Sequence, residues 1–379
     1  MDIENLRAQI DKIDDKISDL FARRMQCCAE IARFKAQNAM GVAQKSRERE
    51  ILTRISKRVP DPLKGYLHML YATMFDVSRA YQITLTPHQN SVTESIRRAA
   101  QQTPKLFPER GVVACQGVEG AYSQQACDRL FKMPDIMYFR TFEGVFQAVE
   151  SGLCEYGVLP IENSSYGSVK GVYDLMHSYK FHIVRALRLR VDHNLLTKPG
   201  VKIEDIREVF SHEQAIGQCS KFLGGLKNAK VTVCENTALA ARMVAQSERR
   251  DVAAISSHNC AELYGLVALR EDVQNSASNY TRFICIAKDL AIYPGADHIS
   301  LMFSTPHRPG ALYSLISKFA ALGVNLTKLE SRPIPGRDFE FMFHFDMEAS
   351  VWSEDVMQLL GELSQTNEHF VFLGCYHEI

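Results

Sequence analysis

The chain has 379 residues, of which 46% are apolar and 23% charged. A chain of that size and composition can build roughly two to four ordinary globular domains. Lys plus Arg equals Asp plus Glu, 44 each, which excludes a global pull toward nucleic acid or acidic lipid and leaves anion recognition to local clusters. No stretch reads as a membrane span, and the opening "MDIENLRAQID" is charged and amphipathic, unlike a secretory signal. The ten cysteines are scattered, without a C-x-x-C pair. They read as reduced thiols of a cytoplasmic protein, with no metal site expected.

Residues 1–90 read as all helix. Ile3, Leu6, Ile10, Ile13, Ile17 and Leu20 recur at steps of three and four, the rhythm of a helix packed along a seam. The next seam position holds Arg24, and the rhythm resumes at Cys27, Ile31 and Phe34. The pattern predicts a long helix ending before Gly41, a second from near Ser46 to Pro60, and a third opened by Asp61 and Pro62. The third carries its own stripe of Leu63, Leu67, Leu70, Met74, Val77 and Tyr81. Three helices cannot cover that much apolar surface alone, so a helical dimer is expected.

A lone seam arginine ordinarily snorkels outward or pairs with an acid. Here Lys35 follows about 20° around the same helix, Arg47 and Glu48 border the Ile51 and Ile55 stripe, and Ser78 and Gln82 flank the third seam. Unpaired buried cations are costly, so several together point to an anionic guest. Arg7 is 17 residues before Arg24, about 25 Å along a straight helix and about 100° around it. It cannot readily share Arg24's pocket within one chain, but it can reach a partner's pocket in an antiparallel dimer.

The segments "LRAQID", "ARRM", "AEIARFK", "REREIL" and "FDVSRAYQ" resemble the all-helical chorismate mutases, intertwined dimers in which each site borrows an arginine from the other chain. The resemblance implies that Arg7 of a partner, Arg24 and Arg47 hold two substrate carboxylates. Lys35 and Gln82 would hydrogen-bond the ether oxygen, and Glu48 would take the ring hydroxyl with Ser78 alongside. A Claisen rearrangement needs no nucleophile and no cofactor, only a compact conformer and donors where charge grows on the ether oxygen. Gln44 departs from the pattern, standing where the family often has Asp.

Residues 91–110 lack a strand pattern, end among prolines and read as a linker. From 111 to 290 short β-rich runs such as "GVVAC", "YGVLPI", "KVTVCE" and "RFICIA" alternate with helical ones, which predicts two α/β lobes. Polar groups gather at strand ends: Glu162 and Asn163 in "PIENSS", Ser211 and Gln218 in "SHEQAIGQC", Thr281 and Arg282 in "NYTRF". Gly117 and Gly120 form a turn between a strand and a helix, able to offer N–H groups to an anion. Taken singly, each has an ordinary structural reading as a turn, surface or strand residue.

Together, in this order and spacing, the stretches resemble the prephenate dehydratases. The resemblance implies that Thr281 leads the catalysis by assisting the departing hydroxyl. Arg282 and Phe283 share its motif, while Asn163, Ser211 and Gln218 line the cleft. A protonated, buried Glu162 is the alternative acid. Val118 and Glu213 replace prolines common in the family, and Ala121 replaces a usual hydroxyl residue.

Residues 297–379 read as βαββαβ, the ferredoxin-like order. "RPGALYSLISKF" and "LTKLESRPI" resemble the ACT domain, a small amino-acid-binding module. The resemblance implies an effector site of Gly310, Ala311, Leu312, Glu330, Ser331, Arg332 and Pro333, with phenylalanine as effector. The whole chain thus resembles the bifunctional chorismate mutase–prephenate dehydratases, in the order mutase, dehydratase, ACT. That implies a cofactor-free multidomain enzyme taking chorismate through prephenate to phenylpyruvate, a homodimer or higher oligomer, without nucleic-acid or membrane partners. The alternatives are a dehydratase preferring arogenate and a non-catalytic ligand sensor.

Overall fold

The computed structural model describes residues 2–38, 45–85, 90–276, 278–305, 310–334, 336 and 340–379. Helix α1 (Ile3–Gln37) is continuous over 35 residues, its N-terminus capped by Asp2, which accepts the Glu4 N–H at 3.4 Å. Helices α2 (Lys45–Ser56) and α3 (Asp61–Leu85) pack beside it. Few of their apolar side chains are covered. Ile3, Ile10, Ile13, Ile17, Leu20, Phe34, Leu63, Met69 and Leu70 are each more than half exposed, whereas Cys28, Ala32, Ile55 and Phe75 are buried.

The expected linker is not plain chain. It contains helix α4 (Ser91–Gln102), capped by Asn90, whose Oδ1 accepts the Val92 and Thr93 N–H groups. Its short apolar face, Ile96 and Ala99, escaped the sequence reading because it buries against the last domain rather than a neighbour in sequence.

The middle of the chain forms two lobes. The first begins with β1 (Arg110–Gln116), α5 (Tyr122–Leu130), β2 (Met133–Phe139) and α6 (Phe142–Glu150). It continues with β3 (Tyr156–Asn163), β4 (Gly167–Ser168), α7 (Lys170–Ser178) and β5 (His182–Arg190). The chain then crosses into a second lobe. This contains β6 (Asn194–Thr197), β7 (Glu208–His212), α8 (Glu213–Gln218), α9 (Ser220–Gly225) and β8 (Lys230–Cys234). It closes with α10 (Thr237–Gln246), β9 (Val252–Ser256), α11 (His258–Tyr264) and β10 (Val267–Arg270). The chain returns to add β11 (Tyr280–Ala287) to the first sheet. The sheet orders are β2-β1-β3-β11-β5 and β10-β6-β9-β7-β8, each with parallel and antiparallel pairs.

The last domain is β12 (His298–Ser304), α12 (Ala311–Ala321), β13 (Asn325–Pro333), β14 (Phe341–Glu348), α13 (Glu354–Thr366) and β15 (Val371–Tyr376). Its antiparallel sheet has the order β13-β14-β12-β15. One side shares a core with α4 and α13, and Met302, Met342, Leu373 and Tyr376 enter the core of the first lobe. The final residues extend that contact, the Ile379 N–H donating to the Ala186 carbonyl at 3.0 Å. At Gly374 the strand runs so close to β5 that an added Cβ would collide with the Ile183 carbonyl oxygen, and φ there is +154°.

Candidate active sites

In the helical region Arg24 turns inward. It donates to Ser78 Oγ and, at 3.5 Å, to the Met74 carbonyl, and its guanidinium lies 6.0 Å from the centre of the Phe75 ring. Gln82, one turn beyond Ser78, donates to the Ser78 carbonyl at 3.2 Å. Lys35, Ser78 and Gln82 are all buried. Burial lowers the Lys35 pKa, because an ammonium loses hydration there.

Three expected members stand apart from this pocket within one chain. Arg7 is exposed on α1. Arg47 points outward and pairs with Glu50 at 2.9 Å, a local partner one turn away on the solvent face. Glu48 is half-buried and accepts from Arg79, which also donates to Asp76. Gln44 lies outside the described residues.

The second site lies between the two lobes. A cleft of about 630 Å³ is lined by Asn163, Gln218, Thr281 and Phe283, with Gly117, Tyr122, Ser168, Lys170 and His193. The walls are strand ends and the helix starts that follow them, where open α/β sheets place ligands. Asn163 Nδ2 donates to Thr281 Oγ1 at 2.9 Å and to Asn279 Oδ1 at 3.0 Å. Asn279 Nδ2 donates to Gln218 Oε1 at 3.1 Å, and His193 Nε2 lies 2.6 Å from the same oxygen. Burial lowers the His193 pKa, outweighing the opposite pull of the Gln218 bond and Asp192. In the glycine turn, Gly117 and Gly120 both have positive φ. Ala121 caps α5 without a side-chain acceptor, and Gln124 Oε1 instead takes the Gly120 N–H at 2.6 Å.

Several expectations for this cleft need correction. Ser211 is fully buried and donates to the Ile255 carbonyl at 2.8 Å, because strand alternation turns it into the sheet rather than toward the cleft. Arg282 follows Thr281 on β11 and faces the other side of the sheet. There it meets Glu378 at 2.5 Å, Asp346 at 2.5 Å and Tyr376 Oη at 2.8 Å, tying the first lobe to the last domain. Glu162 does not line the cleft: it turns toward the last domain, where Lys328 on β13 pairs with it at 2.6 Å. His193 and Asn279 were missed. Both occupy the segments that cross between lobes, where no periodicity marks them, although Asn279 adjoins the "YTRF" run.

The expected effector residues divide by the strand's alternation. On β13, Glu330 accepts from Ser168 Oγ at 2.7 Å and Arg332 pairs with Asp174 at 2.7 Å, both reaching the first lobe, while Ser331 and Pro333 face solvent. Gly310, with φ +80°, opens α12, and Ala311 and Leu312 form its first turn. No group of metal-ligating side chains occurs among the described residues.

Two family models match the chain: chorismate mutase type II over residues 6–83 and prephenate dehydratase over residues 113–291. The bifunctional chorismate mutase/prephenate dehydratase of Escherichia coli (strain K12) is 31% identical over 98% of this chain and 95% of its own. The Arabidopsis thaliana arogenate dehydratase/prephenate dehydratase 1, chloroplastic, is 38% identical over 70% of this chain and 71% of its own. The crystal structure of a prephenate dehydratase from Arthrobacter aurescens in complex with L-Phe superposes with a TM-score of 0.65. It is 26% identical and covers 70% of this chain and 89% of that one. The helical pocket and the two-lobed cleft thus occupy the segments that these two enzyme models match, and the chain belongs to the bifunctional chorismate mutase/prephenate dehydratase family.

Proposed function

We propose that the chain rearranges chorismate to prephenate in the helical region and converts prephenate to phenylpyruvate in the cleft, as part of phenylalanine synthesis. In the first reaction Arg24 holds a carboxylate of the compact conformer. Lys35 and Gln82 donate toward the ether oxygen as its bond to carbon breaks. Arg47 and Glu48 turn inward on substrate binding, and Arg7 comes from a partner. The exposed stripe of α1 supports that dimer, since isoleucine and leucine at seam spacing are otherwise left in water.

In the second reaction the bond to the ring carboxylate breaks and CO2 leaves. Its electron pair enters the ring, and the ring C–O bond breaks on the far side. The departing hydroxyl takes a proton and leaves as water. The observation that carries this reading is the 2.9 Å bond from Asn163 Nδ2 to Thr281 Oγ1 within the cleft. It occupies a Thr281 lone pair and leaves the Thr281 O–H to donate. The test supplies chorismate to the purified protein and follows prephenate and phenylpyruvate. Thr281→Ala is expected to accumulate prephenate, with phenylpyruvate formation down about a hundredfold; parent-rate phenylpyruvate would remove Thr281 from this role.

Arogenate, with an amino group in place of the keto group, is the alternative substrate, favoured by the plant relative's name. The full-length resemblance to the bifunctional enzyme favours prephenate, and side-by-side turnover of the two decides. The last domain is read as an ACT module that binds phenylalanine at the α12 turn and the outer face of β13, supported by the L-Phe complex of the Arthrobacter enzyme. Inhibition then follows if phenylalanine binds one domain arrangement more tightly. The domains are read as 1–90, 111–290 and 297–379, with α4 of the 91–110 linker packing on the last. Ten cysteines held as thiols suit a reducing cytoplasm.

A further inference from the structure

Asn163, Thr281 and Gln218 are held by a chain of hydrogen bonds whose proton positions can be worked out from its ends. At one end Asn163 Oδ1 accepts from two backbone N–H groups, Ser165 at 2.9 Å and Tyr166 at 3.0 Å. Backbone nitrogen can only donate here, so the Asn163 amide cannot be flipped, and its Nδ2 must face Thr281 and Asn279. Asn279 therefore presents Oδ1 to Asn163. Its Nδ2 faces the Val191 carbonyl at 3.4 Å, which can only accept, so the two constraints agree. The same Nδ2 donates to Gln218, which fixes the Gln218 oxygen toward Asn279 and His193. His193 must then carry its proton on Nε2. Its Nδ1 has no protein partner among the described residues, and the ring is 2% exposed.

The placement of the two newcomers matters as much as their bonds. The chain passes between the lobes twice, once between β5 and β6 and once between β10 and β11. The two passes are bonded to each other: Val191 N–H to the Asn279 carbonyl at 2.8 Å, and Val273 N–H to the His193 carbonyl at 2.8 Å. His193 and Asn279 thus sit at the junction itself, linking Gln218 of the second lobe to Asn163 and Thr281 of the first.

We propose that His193 and Asn279 are positioning residues of the dehydratase, which lock the Gln218 amide with an N–H directed at the cleft and the Asn163 amide with its N–H on Thr281, leaving Thr281 as a donor. Gln218 Oε1 receives two donors and one Nε2 hydrogen goes to Asn279 Oδ1 at 3.5 Å, so the other N–H remains for a carboxylate or keto oxygen of the substrate. Asn163 fills the acceptor side of Thr281 and leaves its proton for the departing hydroxyl. Loss of the Nε2 proton would free Gln218 to rotate and present oxygen to an anionic substrate. The inference rests on the dehydratase reading above and deepens it.

The test uses the full-length protein, with kcat and KM for prephenate measured separately and chorismate turnover in the same sample as a check on folding. His193→Leu is expected to lower dehydratase kcat/KM about ten- to a hundredfold, with a raised KM, and leave mutase turnover at the parent rate. His193→Gln restores an N–H toward the same oxygen and is expected to recover most of the loss. Nitrogen-15 spectra of the parent's histidines provide the second readout: a neutral ring protonated on Nε2, unchanged from pH 8 to 6. An Nδ1–H tautomer, ordinary titration near 6.5, or His193→Leu with parent kcat and KM would overturn the proposal. If His193→Leu loses both activities the fold has failed, and the parent's tautomer alone decides. A parent-rate Thr281→Ala variant would sink the acid assignment and leave the His193 tautomer and its KM effect standing.

Discussion

Arg24 occupies a seam position where isoleucine or leucine would otherwise sit, and its guanidinium bonds to Ser78 rather than to a carboxylate. A cation held by neutral groups is available to an anion. Arg24→Ala is expected to lower mutase kcat/KM about a hundredfold or more, with turnover of supplied prephenate unchanged; following chorismate and prephenate consumption separately checks both halves. His344 shows the opposite condition, a titratable group with nothing to gain from charge. It lies 2% exposed on β14, its ring 4.8 Å from that of Tyr173, with neither nitrogen bonded to a described residue. Burial pulls its pKa from 6.5 to about 4, outweighing the pull of Asp346, Glu330 and Asp174, with His177 acting in the same direction as burial. The unfolded ring takes a proton below pH 6.5 and the folded ring does not until about 4, so stability is full above 6.5 and falls between the two. The loss by pH 4 is about 3 kcal/mol. His182, His193 and His212 shift the same way. Urea midpoints from pH 7.5 to 5 should therefore fall in the parent and fall less steeply in His344→Leu; parallel curves would show that His344 does not contribute.

At the scale of elements, α4 is the clearest case of structure decided at a distance. Ile96 is fully buried in the core formed by β12, β14 and α13, and Asn90 reaches from its cap to the Gly361 carbonyl at 2.9 Å. Ile96→Ala removes three methyl or methylene carbons from a filled space and should destabilise the last domain by about 2–4 kcal/mol. Thermal unfolding in the presence and absence of phenylalanine would register this as a lowered midpoint in both conditions. Strand β13 divides its labour by alternation. Lys328, Glu330 and Arg332 grip the first lobe, beside Glu162, Ser168 and Asp174, while the intervening residues stay outside. An effector on the outer face would therefore act on a strand whose inner face already touches the cleft wall.

At the scale of the molecule, the three regions differ in how they are completed. The lobes and the last domain have cores of their own, shared through Met302, Met342 and Tyr376. The helices have a seam more than half exposed along Ile10, Ile13 and Ile17. Replacing Ile10 and Ile17 together by lysine is expected to dissociate the proposed dimer and lower mutase turnover about a hundredfold, while dehydratase activity on supplied prephenate persists. Sedimentation with the two assays tests this; loss of mutase without dissociation would place the effect within one chain. Helix α3 packs against α13 of the last domain, and Ser314 of α12 donates to Asp76, which also receives Arg79.

The periodic apolar residues by themselves determined the three long helices, the alternation of strands and helices, and the βαββαβ order, because those patterns are set by 3.6- and 2-residue repeats within a segment. Short motifs singled out a wider set, of which Asn163, Gln218, Thr281 and Phe283 line the cleft. Which way a side chain turns was decided only by tertiary structure. Ser211, Arg282 and Glu330 lie in readable motifs, yet a strand's two faces look alike until its neighbours are known. His193 had no local signal and Asn279 only its place beside Thr281 in "NYTRF", because the two come together where two crossings of the chain meet beside each other. Proximity between segments about eighty residues apart is a property of the folded sheets, not of either segment.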